Sequence, residues 1–152
     1  MPEPIDFGAT TPRLALPLLF AGQAHKEFFV NEALARLDAA VHLAVQGEAG
    51  TPPASSHEGE AWLVGNDAAE AWAGHAGTVA VRAAGQWLFL QPVPGMRLYD
   101  TASGQFAYFS AGWQKPVAIQ EPTGGSVVDS EARVAISALI SALRAAGIFP
   151  SE

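Results

Sequence analysis

A chain of 152 residues, 49% of them apolar, has room for one moderate core and is too hydrophobic to remain unfolded as a whole. Its 15 acidic residues outweigh its 8 basic ones for a net charge of −7, which argues against wide contact with nucleic-acid phosphates. It has no cysteine, so disulfides, thiol nucleophiles and zinc–thiolate sites are excluded together.

Residues 1–22 are spaced by Pro2, Pro4, Pro12 and Pro17, which fix backbone angles and remove donors. An extended arm is expected there. Ile5, Phe7, Leu14 and Leu16 are too apolar for a free tail. A groove on a neighbouring copy or on a capsid or tail protein would hold them as a particle-docking segment; draping over the chain's own sheet is the other reading. The stretch Leu14 to Phe20, broken by Pro17, is far short of the ~20 residues of a membrane helix. The N-terminus lacks the pattern of a secretory signal. Synthesis in the cytoplasm without membrane insertion is therefore expected.

Residues 23–47 predict one long amphipathic helix. Val30, Leu34, Leu37, Val41 and Ala44 recur every three or four positions, with Asn31, Asp38 and His42 on the other side. Gly47 is the expected terminator. The stripe Val30, Leu34, Leu37 and Val41 packs either on the chain's own sheet or as a seam among copies; two heptads do not separate these.

Residues 57–115 predict antiparallel β structure. Glu60 to Val64 is a strand. Thr78 to Arg82 and Gln86 to Gln91 form a hairpin about Ala83-Ala84-Gly85, and Arg97 to Asp100 and Gln105 to Phe109 form another. Trp87 and Phe89 face one way, Leu88 and Leu90 the other, so this strand needs cover on both sides, from a helix or another subunit. A linker follows from Pro116 to Gly125. Residues 126–147 predict a closing helix capped by Asp129, with Ile136, Leu139, Ile140 and Leu143 in one stripe and Gly147 at its end. Ile136, Leu139 and Leu143 are candidates for an oligomer interface.

Motifs for chemistry are sparse. His25 and Glu32 share a helix face but lack a second histidine at the zinc-helix spacing. Asp38 and His42 form an ordinary helical pair with no nucleophile beside them. No serine lies in a Gly-x-Ser-x-Gly elbow, and the 15 glycines include no phosphate-binding loop. The expectation is no catalytic residue, no metal site and no cofactor. Among the four tryptophans, Trp62 and Trp87 fall inside strands and read as core. Trp72 and Trp113 fall in a loop and at a strand end, where exposed rings could stack on sugars. Tyr99 and Tyr108 complete that candidate glycan set, whose spacing loosely resembles small chitin-binding modules.

The segments Thr11-Pro12-Arg13-Leu14-Ala15-Leu16-Pro17, Ala21-Gly22-Gln23-Ala24-His25-Lys26-Glu27 and Asn31-Glu32-Ala33-Leu34 resemble the opening of a family of alphaproteobacterial prophage and gene-transfer-agent proteins. Members occur in tail-fibre-like and head-spike-like genes and carry a domain of unknown function. The resemblance continues through Gly59-Glu60-Ala61-Trp62-Leu63-Val64-Gly65, Ala71-Trp72-Ala73-Gly74-His75-Ala76-Gly77 and Trp87-Leu88-Phe89-Leu90-Gln91-Pro92. It reaches Val127-Val128-Asp129-Ser130-Glu131-Ala132-Arg133. It implies a homotrimeric head spike or fibre of a phage-like particle, present in the released particle and aiding host attachment. A carbohydrate-binding module for capsular polysaccharide is the alternative. The sequence thus predicts an α+β protein: arm, long helix, small antiparallel sheet, closing helix.

Overall fold

The computed structural model describes residues 9–121, 123–125 and 129–150. Its class is α+β, with two helices and two small mixed sheets. Helix α1 (Lys26–Ala40) precedes two short strands, β1 (Ala44–Val45) and β2 (Glu48–Ala49). Strand β3 (Ala61–Val64) is separated by a single 3-10 turn at Glu70–Trp72 from the hairpin β4 (Val79–Ala83) and β5 (Gln86–Leu90). A second hairpin, β6 (Arg97–Asp100) and β7 (Gln105–Phe109), adds the short β8 (Trp113–Gln114) before helix α2 (Ser130–Ala145).

The first helix ends earlier than its periodicity suggests. Leu43 and Val45 are both buried and two residues apart, so the apolar run that looked helical past Val41 continues at strand spacing. Gly47 does not terminate the helix. It lies between β1 and β2, where a Cβ would approach the Cβ of Ala102 to 3.3 Å. Here the chain changes sheets: β1 pairs in parallel with β6, and β2 in parallel with β3. The β region therefore begins at Ala44, not at residue 57, and it is mixed rather than purely antiparallel.

The sheets run β1-β6-β7-β8 and β2-β3-β4-β5, and their inner faces share one core. Val45, Leu98 and Ala107 come from the first; Leu63, Val79, Val81 and Leu90 come from the second. The first expected hairpin forms with Ala83 opposite Gln86, leaving Ala84 and Gly85 as a two-residue turn at positive φ, the geometry that suits right-twisted strands. Alanine is strained there. The Glu58 carboxylate compensates by accepting from the Ala84 and Gly85 amides at 2.7 and 2.8 Å.

Asp100 organises the second hairpin. Its side chain is buried and accepts from the Ala102 amide at 2.9 Å and from Lys115 Nζ at 2.5 Å. Burial opposes the charge on this carboxylate. The hydrogen bonds from Lys115 and Ser103 and the Lys115 charge outweigh it, and the carboxyl is held below its ordinary value.

Helix α2 matches its expected limits closely. Asp129 caps it, accepting from the Ala132 amide at 2.9 Å. At the other end Gly147 N–H donates to Arg144 O and Ile148 N–H to Leu143 O, at 2.9 Å each, the paired bonds of a Schellman stop. Gly147 has φ 70, and a Cβ there would press on the Phe106 ring at 3.1 Å. Phe106 N–H donates to Gly147 O at 2.6 Å, and Phe149 is buried, so α2 is fastened to the body by its C-terminal end.

Because the Asp100 carboxyl is depressed only in the folded state, its stabilisation is complete above the unfolded value of about 3.9 and is lost as pH falls through and below it. Acid titration of stability should steepen below about pH 4, and Asp100→Asn should flatten that limb while lowering stability at neutral pH. A variant whose stability falls in acid as steeply as the parent's would show that Asp100 is not responsible.

Candidate functional site

The polar side of α1 faces inward. Glu27, Asp38 and Ala39 are its buried residues, with Asn31, Leu34 and Ala35 half-buried beside them. The stripe flank Val30, Leu37 and Val41 is exposed, Leu37 to 52%; Phe28 and Phe29 are also exposed, Phe29 to 79%. The inward polar residues are engaged by the N-terminal segment. Asp38 accepts from Thr11 Oγ1 at 2.7 Å, from the Leu14 amide at 2.6 Å and from the Arg13 amide at 3.1 Å. The Arg13 guanidinium donates to the carbonyls of Asp38, Ala39, Val41 and His42, satisfying groups that a helix C-terminus leaves open. Asn31 brackets Leu19 by accepting from its amide and donating to its carbonyl. Glu27 accepts from the Gly22 amide at 3.2 Å.

The described part of the arm is therefore not extended. Residues 9–18 close into a loop, with Thr11 N–H on Leu16 O and Leu18 N–H on Ala9 O. That loop sits on the chain's own helix, because a buried carboxylate must be satisfied from nearby and Thr11-Pro12-Arg13-Leu14 supplies three donors. Leu14 is partly exposed and Leu16 half-buried. Ile5 and Phe7, the other candidate docking residues, lie outside the described residues.

Helix α2 carries a similar uncovered stripe. Its inward side runs through Arg133, Ser137, Ile140 and Arg144, of which only Ile140 is fully buried. This is one flank of the apolar face. Leu143 is half-buried, Ile136 is exposed, and Leu139 is 60% exposed.

The candidate glycan residues do not converge. Trp72 is 0% exposed, which corrects the expectation of an accessible loop ring. The turn at Glu70–Trp72 folds it onto Val64 and Ala80 on the outer face of the second sheet, edge-on to Trp87 with centroids 5.1 Å apart. Trp62 and Trp87, expected as core, are only partly buried around it, as is Phe89. The chain's own loop thus supplies part of the second cover. Tyr99 and Tyr108 lie on the outer face of the first sheet, opposite Phe106 and Arg97, and Tyr99 meets Phe106 edge-on at 5.1 Å.

Trp113 lies apart from them. It is half-buried against Phe109 at 5.4 Å, and its Nε1 donates to Gly77 O at 3.0 Å. It lines a cleft of about 520 Å³ together with Glu48, Asn66 and Gln91. Fixed aromatic rings beside exposed amides and a carboxylate offer an apolar face and hydrogen-bonding groups to a polar ligand. Among the described residues no three His, Asp or Glu side chains gather as a metal-binding group, and no helix is long and apolar enough to cross a membrane.

These features define an α+β module with two mixed sheets, a polar-anchored first helix and apolar helix faces turned outward. The description "Protein of unknown function (DUF2793)" matches residues 30–114, and the chain belongs to that family. The match spans α1 from Val30 through β8; the Thr11–Arg13 anchor and α2 fall outside it. No curated protein and no solved structure matches the chain.

Sequence reasoning missed the Thr11–Arg13–Asp38 node, although the signal was present in a threonine and an arginine flanking a proline and in the one aspartate of the helix. Asp38→Ala would leave buried donors on Thr11, Arg13 and Leu14. Bonds to a charged acceptor are worth about 1.5–3 kcal/mol each and add imperfectly, so a loss of roughly 3 kcal/mol or more is expected in urea unfolding. Trypsin should then cut at Arg13 in otherwise native protein. Wild-type stability with Arg13 still resistant would show that the node does not hold the segment.

Proposed function

We propose that the protein is a structural component of a phage-like particle or gene transfer agent, a head spike or fibre that self-associates as a homotrimer and aids attachment to the host cell surface. The observation that carries this reading is the orientation of α1. Its Glu27, Asn31 and Asp38 are turned into the chain, while Val30, Leu37 and Val41, on one side of the helix and at its C-terminal end, stay exposed as an apolar strip. Single exposed apolar residues are ordinary; a continuous strip is characteristic of an interface. The exposed Ile136 and Leu139 of α2 supply a second strip. The resemblance to tail-fibre-like and head-spike-like proteins supplies the setting, with the chain itself and a capsid or tail protein as partners.

A second reading, direct recognition of capsular polysaccharide, is favoured by the Trp113 cleft alone. It moves the candidate platform away from Trp72 and onto Trp113 with its polar neighbours.

Leu37→Asp provides the test. Leu37 is exposed in the single chain, so the substitution should leave the monomer folded. At a subunit seam it would bury an unpaired charge, at a cost on the order of 3–5 kcal/mol. Native mass is expected to fall from trimer to monomer, and the variant should no longer co-purify with particles. A wild-type protein that is monomeric at micromolar concentration overturns the assembly. Trp113→Ala should abolish any binding to host polysaccharide on a glycan array without changing native mass; no binding by the wild type removes the second reading.

A further inference from the structure

The Trp113 cleft is lined from both sheets, by β2 and β3 of one and by β7 and β8 of the other. Glu48 pairs with Leu63, Leu63 with Val79 and Val79 with Leu90. Directly paired positions share a face of a sheet, and Leu63, Val79 and Leu90 all belong to the core. Glu48 is therefore the outermost member of an inward-facing row, a charged side chain where the pattern asks for an apolar one. From the first sheet, β8 brings Trp113 to the same place. Its indole is tied across to the loop before β4 by the bond to Gly77 O, so the ring offers a face and no free donor. Asn66, after β3, and Gln91, after β5, complete the polar lining. Among the described residues, the side chains of Glu48, Asn66 and Gln91 make no hydrogen bond or ion pair. An inward charge on an edge strand also discourages pairing with another chain, but that role asks nothing of two amides beside it.

We propose that this cleft takes an uncharged, hydroxyl-rich sugar unit and turns acidic sugars away. The inference rests on the polysaccharide reading given above and adds the class of sugar. A hydroxyl both donates and accepts; a primary amide does the same, and a carboxylate accepts. Glu48 with Asn66 and Gln91 thus matches neighbouring hydroxyl groups, while the C–H face of a sugar ring lies on Trp113. Among the described residues no lysine, arginine or histidine lines the cleft. The carboxylate of a uronic or sialic unit would enter without a cation and against Glu48, an unpaired charge leaving water. The chain's net charge of −7 adds to that repulsion. A plain ammonium ligand is served by the carboxylate and the ring alone and leaves both amides idle. The volume, about 520 Å³, is that of a small-ligand site and suits a short stretch of a glycan.

A glycan array that carries neutral hexosyl and N-acetylhexosaminyl chains beside uronyl and sialyl chains tests the assignment, with free glucosamine and N-acetylglucosamine as soluble competitors. Wild-type protein should hold neutral chains about tenfold or more tighter than acidic ones. Asn66→Ala and Gln91→Ala should each weaken neutral binding roughly threefold to tenfold, with native mass and unfolding unchanged because both residues are exposed. Glu48→Lys should raise binding of acidic chains on the order of tenfold and lower that of neutral ones. A wild-type preference for acidic chains, or a Glu48→Lys variant with unmoved selectivity, overturns the inference and leaves the polysaccharide reading standing. Neutral binding that survives both amide substitutions overturns it in the same way. Competition by glucosamine but not by N-acetylglucosamine identifies a cation site and also overturns it. A wild-type protein that holds no chain on the array removes the polysaccharide reading itself, and the inference with it.

Discussion

The arrangement of this protein depends on one buried carboxylate. Asp38 is 2% exposed, and an ionised group in that position needs donors from within the protein. It takes them from Thr11 and from the amides of Arg13 and Leu14, while the Arg13 side chain takes the carbonyls at the C-terminal end of α1. Each part thereby solves the other's problem. The helix end gains a cap it lacks in its own sequence, having no basic residue in its last turn. The N-terminal segment gains partners for amides that its prolines keep out of regular structure. The consequence is rotational: holding Asp38, Asn31 and Glu27 inward forces Val30, Leu37 and Val41 outward.

The second sheet meets the opposite difficulty, a surplus of apolar surface. Strands β3 to β5 place Leu63, Val79 and Leu90 toward the shared core and Val64, Ala80 and Phe89 away from it. A sheet apolar on both faces needs two covers, and the core supplies one. The loop of residues 66–77 supplies part of the other by folding Trp72 down onto small Ala80. His75 lies flat on Phe89, with centroids 3.6 Å apart and planes within 3°. Large aromatic area in a short loop is an efficient lid, and it frees both helices from covering that face.

Elements set by local chemistry were legible in the sequence. The turn at Ala84-Gly85, the four-residue turn between β6 and β7, the Asp129 cap and the stop at Gly147 each depend on residues within a few positions of one another. Features set by distant partners were not. The end of α1 was missed because Val41 to Val45 fits helical and strand spacing equally well, and pairing with β6 decides between them. The inward face of α1 stayed open because amphipathic periodicity identifies an apolar side without saying whether that side packs within the chain. Trp72 looked exposed because its neighbours are alanine and glycine; those small residues are what allow the loop to press the indole against the sheet.

Helix α2 brings these constraints together. Its fastening is terminal: the Schellman stop, the Phe106–Gly147 bond and buried Phe149 all lie at one end. An isolated helix of its 16 residues is marginal in water, even when rich in alanine, and ordinarily depends on packing of its apolar face. Here only Ile140 on that face is fully buried, and Ile136 and Leu139 remain uncovered. Covering a side chain of that size contributes about 1.5–3 kcal/mol, a large increment for a helix held at one end. The first helix leaves a strip of similar chemistry uncovered for an unrelated reason, its commitment to Asp38. Two helices with different anchors thus arrive at the same unfilled requirement, and the proposed association between copies of the chain would meet both without disturbing either anchor.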